Sequence, residues 1–263
     1  MHVRAARDDY VEFCEGVRRL CSIDLLQYKR GQMERRIRTF AGTRGQGDLP
    51  EYLGVLKSDG SELDAFLDRV TINVSQLWRH PEQFTVLERD VLPELAEARR
   101  IRAWSAGCSY GAEAYTLAAV ALSAVPAAKV TITGVDIDER MIERARLGIF
   151  TPGDARATPP GVMKTWFTEL PDGSFEAKPA LKAITRFEVG DLLRVRPRPG
   201  AYDLVMCRNT VIYFNDEVRD ALHARLADAL RPGGYLVVGA TERVSAPQAI
   251  GLAPTHPFTY RKS

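Results

Sequence analysis

The chain has 263 residues, enough for one large domain or two modest ones with a real core. Apolar residues make up 45% and charged residues 27%, with a formal net charge of +2, so no global charge excess points to nucleic acid or a membrane surface. No apolar run is long enough to cross a bilayer, and the first ten residues, MHVRAARDDY, carry no signal-peptide segment, so a cytoplasmic location is expected. The cysteines (Cys14, Cys21, Cys108, Cys207) form no C-x-x-C pair. The histidines (His2, His80, His223, His256) are scattered, so neither a disulfide framework nor a metal site is expected.

The front of the chain reads as helical. Tyr10, Phe13, Cys14, Val17 and Cys21 recur at helical spacing. A second helix is predicted over Leu25 to Phe40, ended by Gly42, Gly45 and Gly47. A third begins after Asp48 as a cap, and a fourth spans Ser61 to Val70. The second helix concentrates Lys29, Arg30, Arg35, Arg36 and Arg38 against one acid, Glu34. Such a cluster is either a solvated face or a docking surface for an acidic partner. Thr71 to Phe84 then reads as a hinge carrying polar Asn73 and Ser75 and a lone Arg79, with Pro81 restarting a helix over Glu82 to Ala98.

From Arg99 onward strands and helices alternate. Strands are predicted at 101–106, 130–135, 184–189, 202–207 and 234–240, and helices at 112–123, 139–147 and 216–230. This alternation means a parallel, doubly wound α/β sheet. Pro257 to Arg261 is expected to pair antiparallel with the preceding strand at the sheet edge. Asp172-Gly173 signals a small hairpin over 166–177, a β insertion in the core.

Between the first two strands lies the turn Gly107-Cys-Ser-Tyr-Gly111. Glycines there let a ligand approach the main chain, and the second strand ends in Asp136, an acid able to hold both hydroxyls of a ribose. The turn does not match G-x-G-x-x-G, so it is either a nucleoside-cofactor corner or an ordinary α/β turn. Asp191 and Asn209 follow later strands, where ligands bind in open sheets. Asp136, Asp191 and Asn209 are expected to face one crevice.

In order along the chain stand Tyr28-Lys-Arg with Arg35-Arg36, Thr71-Ile-Asn-Val-Ser-Gln-Leu-Trp-Arg79, Trp104-Ser-Ala-Gly-Cys-Ser-Tyr-Gly-Ala-Glu113, Asp136-Ile-Asp138, Asp191-Leu-Leu193, Cys207-Arg-Asn-Thr-Val-Ile-Tyr-Phe214 and Pro232-Gly-Gly. This series resembles the CheR family, the chemotaxis-receptor protein-glutamate methyltransferases, over nearly the whole chain. The resemblance implies a Rossmann-like S-adenosylmethionine-dependent methyltransferase sheet. It places a helical receptor-docking domain at 8–75 and a methyltransferase domain at 76–263, with a small antiparallel β-subdomain inserted at 160–186. It also implies methyl transfer to glutamates of methyl-accepting chemotaxis receptors, with S-adenosylhomocysteine as product and no metal. The alternative is a cofactor-binding regulatory or scaffolding module with little turnover.

For the residues, the resemblance implies that Gly107 and Glu113 hold the methionine portion, Asp136 the ribose, and Asp191 and Leu192 the adenine, with Asn209 nearby. Asn73, Ser75 and Arg79 would reach in from the linker. Arg79 and Tyr213 would stand near the reacting methyl, and Lys29, Arg30, Arg35, Arg36 and Arg38 would dock receptor helices, with the enzyme working as a monomer. The family's Thr-Gly-Glu-Glu-Pro loop is here Tyr110-Gly-Ala-Glu-Ala114, so Tyr110 is expected to narrow the pocket. The hairpin loop has Gly173 as its single glycine, which implies independence of a receptor's C-terminal pentapeptide.

Overall fold

The computed structural model describes residues 8–71 and 75–263. Asn73 lies outside them. The chain divides into two compact units, Met1–Asn73 with Tyr213–Val218, and Val74–Ile212 with Arg219–Ser263.

In the first unit, α1 (Asp9–Cys21) is capped by the Asp8 carboxylate, which accepts from the Tyr10 and Val11 amides. After a short 3₁₀ turn at Leu25–Gln27 comes α2 (Arg30–Thr43), later than the predicted Leu25 start. The delay has a physical cause: Tyr28 is extended and forms an antiparallel bridge with Phe214, a partner no local pattern reveals. Gly42 is tolerated within α2, and the chain turns instead at Gly45, with φ of 74°. α3 (Leu49–Ser58) and α4 (Gly60–Val70) are capped by Asp48 and Asp59. Their apolar faces close on a buried aromatic cluster of Phe13, Tyr52 and Phe66, with centroids 5.7–6.1 Å apart.

In the second unit the segment predicted as one helix over Glu82 to Ala98 is α5 (Pro81–Val86), a π turn at Leu87–Val91 and α6 (Leu92–Ala96). Pro93 has no amide hydrogen, and its ring crowds the carbonyl four residues back, so the ladder relaxes there, with the Leu92 amide reaching Leu87 O.

The sheet follows: β1 (Arg100–Ala106), α7 (Ala112–Ala124), β2 (Lys129–Asp136) and α8 (Glu139–Leu147). Next come β3 (Ile149–Phe150), α9 (Pro152–Ala155), α10 (Pro160–Trp166), β4 (Phe167–Glu169), β5 (Phe175–Ala177) and α11 (Pro179–Ile184). The chain ends with β6 (Thr185–Val189), β7 (Tyr202–Cys207), α12 (Asp216–Ala229), β8 (Leu230–Val238), β9 (Leu252–His256) and β10 (Thr259–Lys262).

The seven-stranded sheet has order β6-β2-β1-β7-β8-β10-β9, parallel from β6 to β8, with β10 antiparallel to β8. The expected antiparallel strand is therefore present, but β9 lies outside it at the edge. The small hairpin β4–β5 forms around Asp172-Gly173 and gains a third strand, β3, that the hairpin pattern did not include. α7 is buried almost all round, as its alanine-rich sequence demands of a helix between layers.

His223 on α12 is 1% exposed, and neither ring nitrogen has a protein partner among the described residues. Burial pushes its pKa down to about 4. The unfolded chain therefore takes up a proton that the folded chain refuses as pH falls from about 6.5 towards 4, and stability drops across that window. Replacing His223→Leu should remove this loss. In urea unfolding, the stability difference between variant and parent should shift by about 2 kcal/mol in favour of the variant between pH 7 and pH 5.

Candidate active site

The first turn of the site begins where β1 ends. The Gly107 and Cys108 amides both donate to Val135 O, at 2.8 and 3.0 Å, which ties the turn to the tip of β2. Gly107 has φ of 81°, and a Cβ there would lie 2.4 Å from Thr210 Oγ1. The glycine is needed both for the backbone and for the close approach of the turn after β7. Ser109, at φ of 49°, points its amide at Asp136 Oδ2, 2.7 Å away. The Asp138 amide donates to Asp136 Oδ1 at 3.0 Å.

Asp136 is 9% exposed. Burial raises its pKa, and the amide hydrogen bonds work against that rise. Each carboxylate oxygen thus accepts a backbone N–H, and the Ile137 amide also favours the charged form.

Glu113 stands in the first turn of α7. Its Oε1 accepts from Ser105 Oγ at 2.7 Å, and its Oε2 pairs with Arg208 Nη1 at 3.2 Å. The Arg208 side chain is 2% exposed and spends its donors on three segments. Besides Glu113, its Nε donates to Gln83 Oε1 at 2.8 Å and its Nη2 to the backbone carbonyl of Arg79. Its planar face lies 5.0 Å from the Phe84 ring centroid. Gln83 is held in turn by Val238 O, at 2.8 Å.

Past β7, Asn209 takes a left-handed φ of 57°, and its amide donates to Glu242 Oε2 at 2.9 Å. The Gly239 amide reaches the same oxygen at 2.6 Å. Burial raises the Glu242 pKa, against the pull of these amides. At the tip of β6, Gly190 N donates to Asp136 O, and Asp191 Oδ1 accepts from the Leu193 amide at 2.8 Å in a tight Asx turn. Arg225 closes on the carbonyls of Leu193 and Leu192, at 2.9 and 3.3 Å.

The strand tips thus gather Gly107, Glu113, Asp136, Asp191, Leu192 and Asn209 onto the carboxyl ends of β1, β2, β6 and β7, where strand order reverses about β1. The linker is tied to the same unit. Ser75 O accepts from the Tyr110 hydroxyl, Leu77 N donates to Asp154 O at 2.9 Å, and Trp78 N donates to Thr116 Oγ1 at 3.1 Å. Tyr110 is buried with its hydroxyl on Asp154 Oδ1, 2.8 Å away, and its ring 3.9 Å from the Arg144 guanidinium. Its hydroxyl is therefore engaged by Asp154 and Ser75, not by Asp136 or Glu113.

Tyr213 belongs to the helical unit. There the basic helix is less bare than one acid suggested. Arg30 pairs with Asp8 and Glu34 at 2.6 and 3.0 Å, and Arg38 with Asp9 and Glu34 at 2.7 and 2.9 Å. The expectation that Glu34 alone opposes the cluster is thus corrected by two acids at the start of α1.

Arg208, Gln83, Ser105 and Glu242 were assigned no role from sequence. Arg208 had a signal, an arginine directly after the apolar run Leu204–Cys207, whereas Gln83 had none. A methyl group at Gly107 should show how tightly the turns interlock. Gly107→Ala should lower stability by more than about 1 kcal/mol, read as the thermal midpoint, because it adds a clash with Thr210 to an unfavourable φ.

Comparison with known proteins agrees with this architecture. Residues 73–256 match the family described as "CheR methyltransferase, SAM binding domain", and residues 8–71 match "CheR methyltransferase, all-alpha domain". The chemotaxis protein methyltransferase of Listeria innocua is 34% identical over 257 residues, covering 97% of each chain. That of Borreliella burgdorferi is 28% identical over 277 residues, covering 100% of this chain and 97% of its own. Chemotaxis protein methyltransferase 1 of Pseudomonas aeruginosa is 30% identical, covering 92% of each chain. The chain belongs to the CheR methyltransferase family, with S-adenosylmethionine as its cofactor.

Proposed function

We propose that this protein transfers the methyl group of S-adenosylmethionine to glutamate side chains of methyl-accepting chemotaxis receptors, forming glutamate methyl esters and S-adenosylhomocysteine. The observation that carries the reading is the state of Asp136. Both of its oxygens are oriented by backbone amides, and the carboxylate keeps acceptor capacity for a ribose. The chemistry of the set fits the rest of the cofactor. Glu113, Asp136 and Glu242 are three acids against one buried cation, Arg208, a balance suited to a ligand bearing an ammonium and a sulfonium. The close-packed Gly107 turn gives such a ligand bare main chain to lie against.

Bound S-adenosylmethionine supplies a methyl group already attached to a good leaving group. A solvated glutamate side chain, which titrates at about pH 4.3, is ionised at neutral pH and needs no general base from this chain. The residues' work is alignment and exclusion of water. In this reading Glu113 and Gly107 hold the methionine portion, Asp136 the ribose, and Asp191 and Leu192 the adenine beside Asn209. Asn73 and Ser75 complete the linker side. Arg79 grips the incoming carboxylate, and Tyr213 packs beside the sulfonium.

The helical domain, 8–75, docks the receptor through Lys29, Arg35 and Arg36, with Arg30 and Arg38 supporting the same face from their ion pairs. The methyltransferase domain, 76–263, carries the β-subdomain at 160–186. The enzyme works as a monomer in the cytoplasm and independently of a C-terminal pentapeptide. No helix among the described residues is long and apolar enough to cross a membrane.

Incubation with tritiated cofactor and receptor-bearing membranes should give base-labile label on the receptor. Tight cofactor binding without transfer would favour the scaffolding alternative. Arg79→Ala should abolish transfer while keeping the circular dichroism melt close to the parent's, and unchanged transfer would remove Arg79 from the site. Calorimetric titration of Asp136→Ala should show cofactor affinity weakened more than tenfold, above about 1.4 kcal/mol. The Trp-containing pentapeptide should give no heat in the same instrument, and a measurable isotherm would overturn that part of the reading.

A further inference from the structure

In the loop after β6, two consecutive peptide planes are each gripped at both ends. The Leu193 amide donates to Asp191 Oδ1 at 2.8 Å, and the carbonyl of the same plane, Leu192 O, accepts from Arg225 Nη2 at 3.3 Å. In the next plane the Arg194 amide donates to Asp191 O at 2.8 Å, and Leu193 O accepts from Arg225 Nη1 at 2.9 Å. A trans peptide points its N–H and C=O in opposite directions, so Asp191 and Arg225 hold the two planes from opposite sides. The start of the loop is fixed too. The Gly190 amide donates to Asp136 O, and a Cβ on Gly190 would lie 2.9 Å from the Val135 side chain and 3.1 Å from that of Val195.

Asp191 belongs to the loop itself, and its other oxygen pairs with Arg194 at 3.3 Å. The carbonyl side depends on a residue from elsewhere in the same unit. Arg225 lies on α12, 32 residues beyond Leu193. Arg196 shares Leu193 O, but its bonds go to that carbonyl and to Val195 O, each at 3.1 Å. Leu192 O is left to Arg225 among the described residues. This placement is costly. The Arg225 Nε is buried with no partner among the described residues, and burial lowers the Arg225 pKa, helped by Arg196 and opposed by Asp191.

We infer that Arg225 is a positioning residue for recognition of the adenine base, acting through the Asp191–Leu193 loop. This rests on the reading that Asp191 and Leu192 hold the adenine. A base edge is distinguished by hydrogen-bonding groups whose directions are set before the ligand arrives. The planar guanidinium spans two successive carbonyls and so sets the tilt of both planes at once. By this route α12, which presents no residue to the cofactor in that reading, takes part in choosing it.

The test is calorimetric titration of the full chain with S-adenosylhomocysteine and with S-inosylhomocysteine, in which an oxo group replaces the 6-amino group of the base. The parent should prefer the adenine compound by about tenfold or more. Arg225→Ala should raise the Kd for S-adenosylhomocysteine by about fivefold to tenfold and that for S-inosylhomocysteine by less than about twofold, so that the preference collapses. Equal weakening of both compounds would show a merely structural role, and it or an unchanged preference would overturn the inference while leaving the adenine assignment in place. A parent that binds the two compounds alike, or an Asp191→Ala variant with the parent's preference, would instead overturn the adenine assignment and the inference with it. Should Arg225→Ala fail to fold, Arg225→Lys keeps a cation but loses the fork that spans two carbonyls. It should reduce the preference by about twofold to threefold, and an unreduced preference there would overturn the inference.

Discussion

A guanidinium taken almost wholly out of water joins three separate segments of the larger unit. Removing a cation from water is expensive unless its donors are satisfied. Arg208 meets that demand by drawing Gln83, Glu113 and the Arg79 carbonyl into one arrangement. These three come from the helix after the linker, the first turn of α7 and the linker itself. Glu113 is distant in sequence from the other two, yet each has its place fixed by the same planar fork. The backbone of the linker arginine, Arg79, is thus held by a second arginine that directly follows β7.

Around that fork the backbone is shaped to present amides to carboxylates. Ser109 and Asn209 both adopt left-handed conformations that a side-chain-bearing residue seldom takes, and both direct their N–H groups at buried acids, Asp136 and Glu242. Burial alone would favour the neutral forms of these acids. The amides offset part of that effect and hold the oxygens in fixed directions. The directions of these buried acids are in this way set mostly by main-chain donors, and the buried Arg208 pairs with Glu113.

Much of the fold could be read from local pattern. The apolar runs ending at Ala106, Asp136, Val189 and Cys207 all form parallel strands, and Asp48 and Asp172-Gly173 do what their chemistry dictates. What escaped was set by distant partners. Tyr28 is withheld from α2 because Phe214 pairs with it, and nothing near Tyr28 encodes that. Gln83 carries no local signal, yet it is buried and hydrogen-bonded to Val238 O and Arg208. The charge of α2 was misjudged because Asp8 and Asp9 lie at the start of the preceding helix. The partner of the Tyr110 hydroxyl escaped as well, because Asp154 lies 44 residues on, past α7, β2, α8 and β3. The candidate residues were visible as a set through their place at strand ends, but the hydrogen bonds that orient them were not.

The interleaving of the chain also bears on how it is made. The helical unit is built mainly from the first quarter of the sequence, yet it includes a strip that follows β7. A ribosome releasing the chain from its N-terminus exposes Tyr28 and Lys29 long before Phe214 and Tyr213 exist to cover them. The early helices must therefore wait, partly unsealed, until the sheet's fourth parallel strand has been synthesised. Closure of the first unit becomes a late, long-range event that reports completion of most of the second.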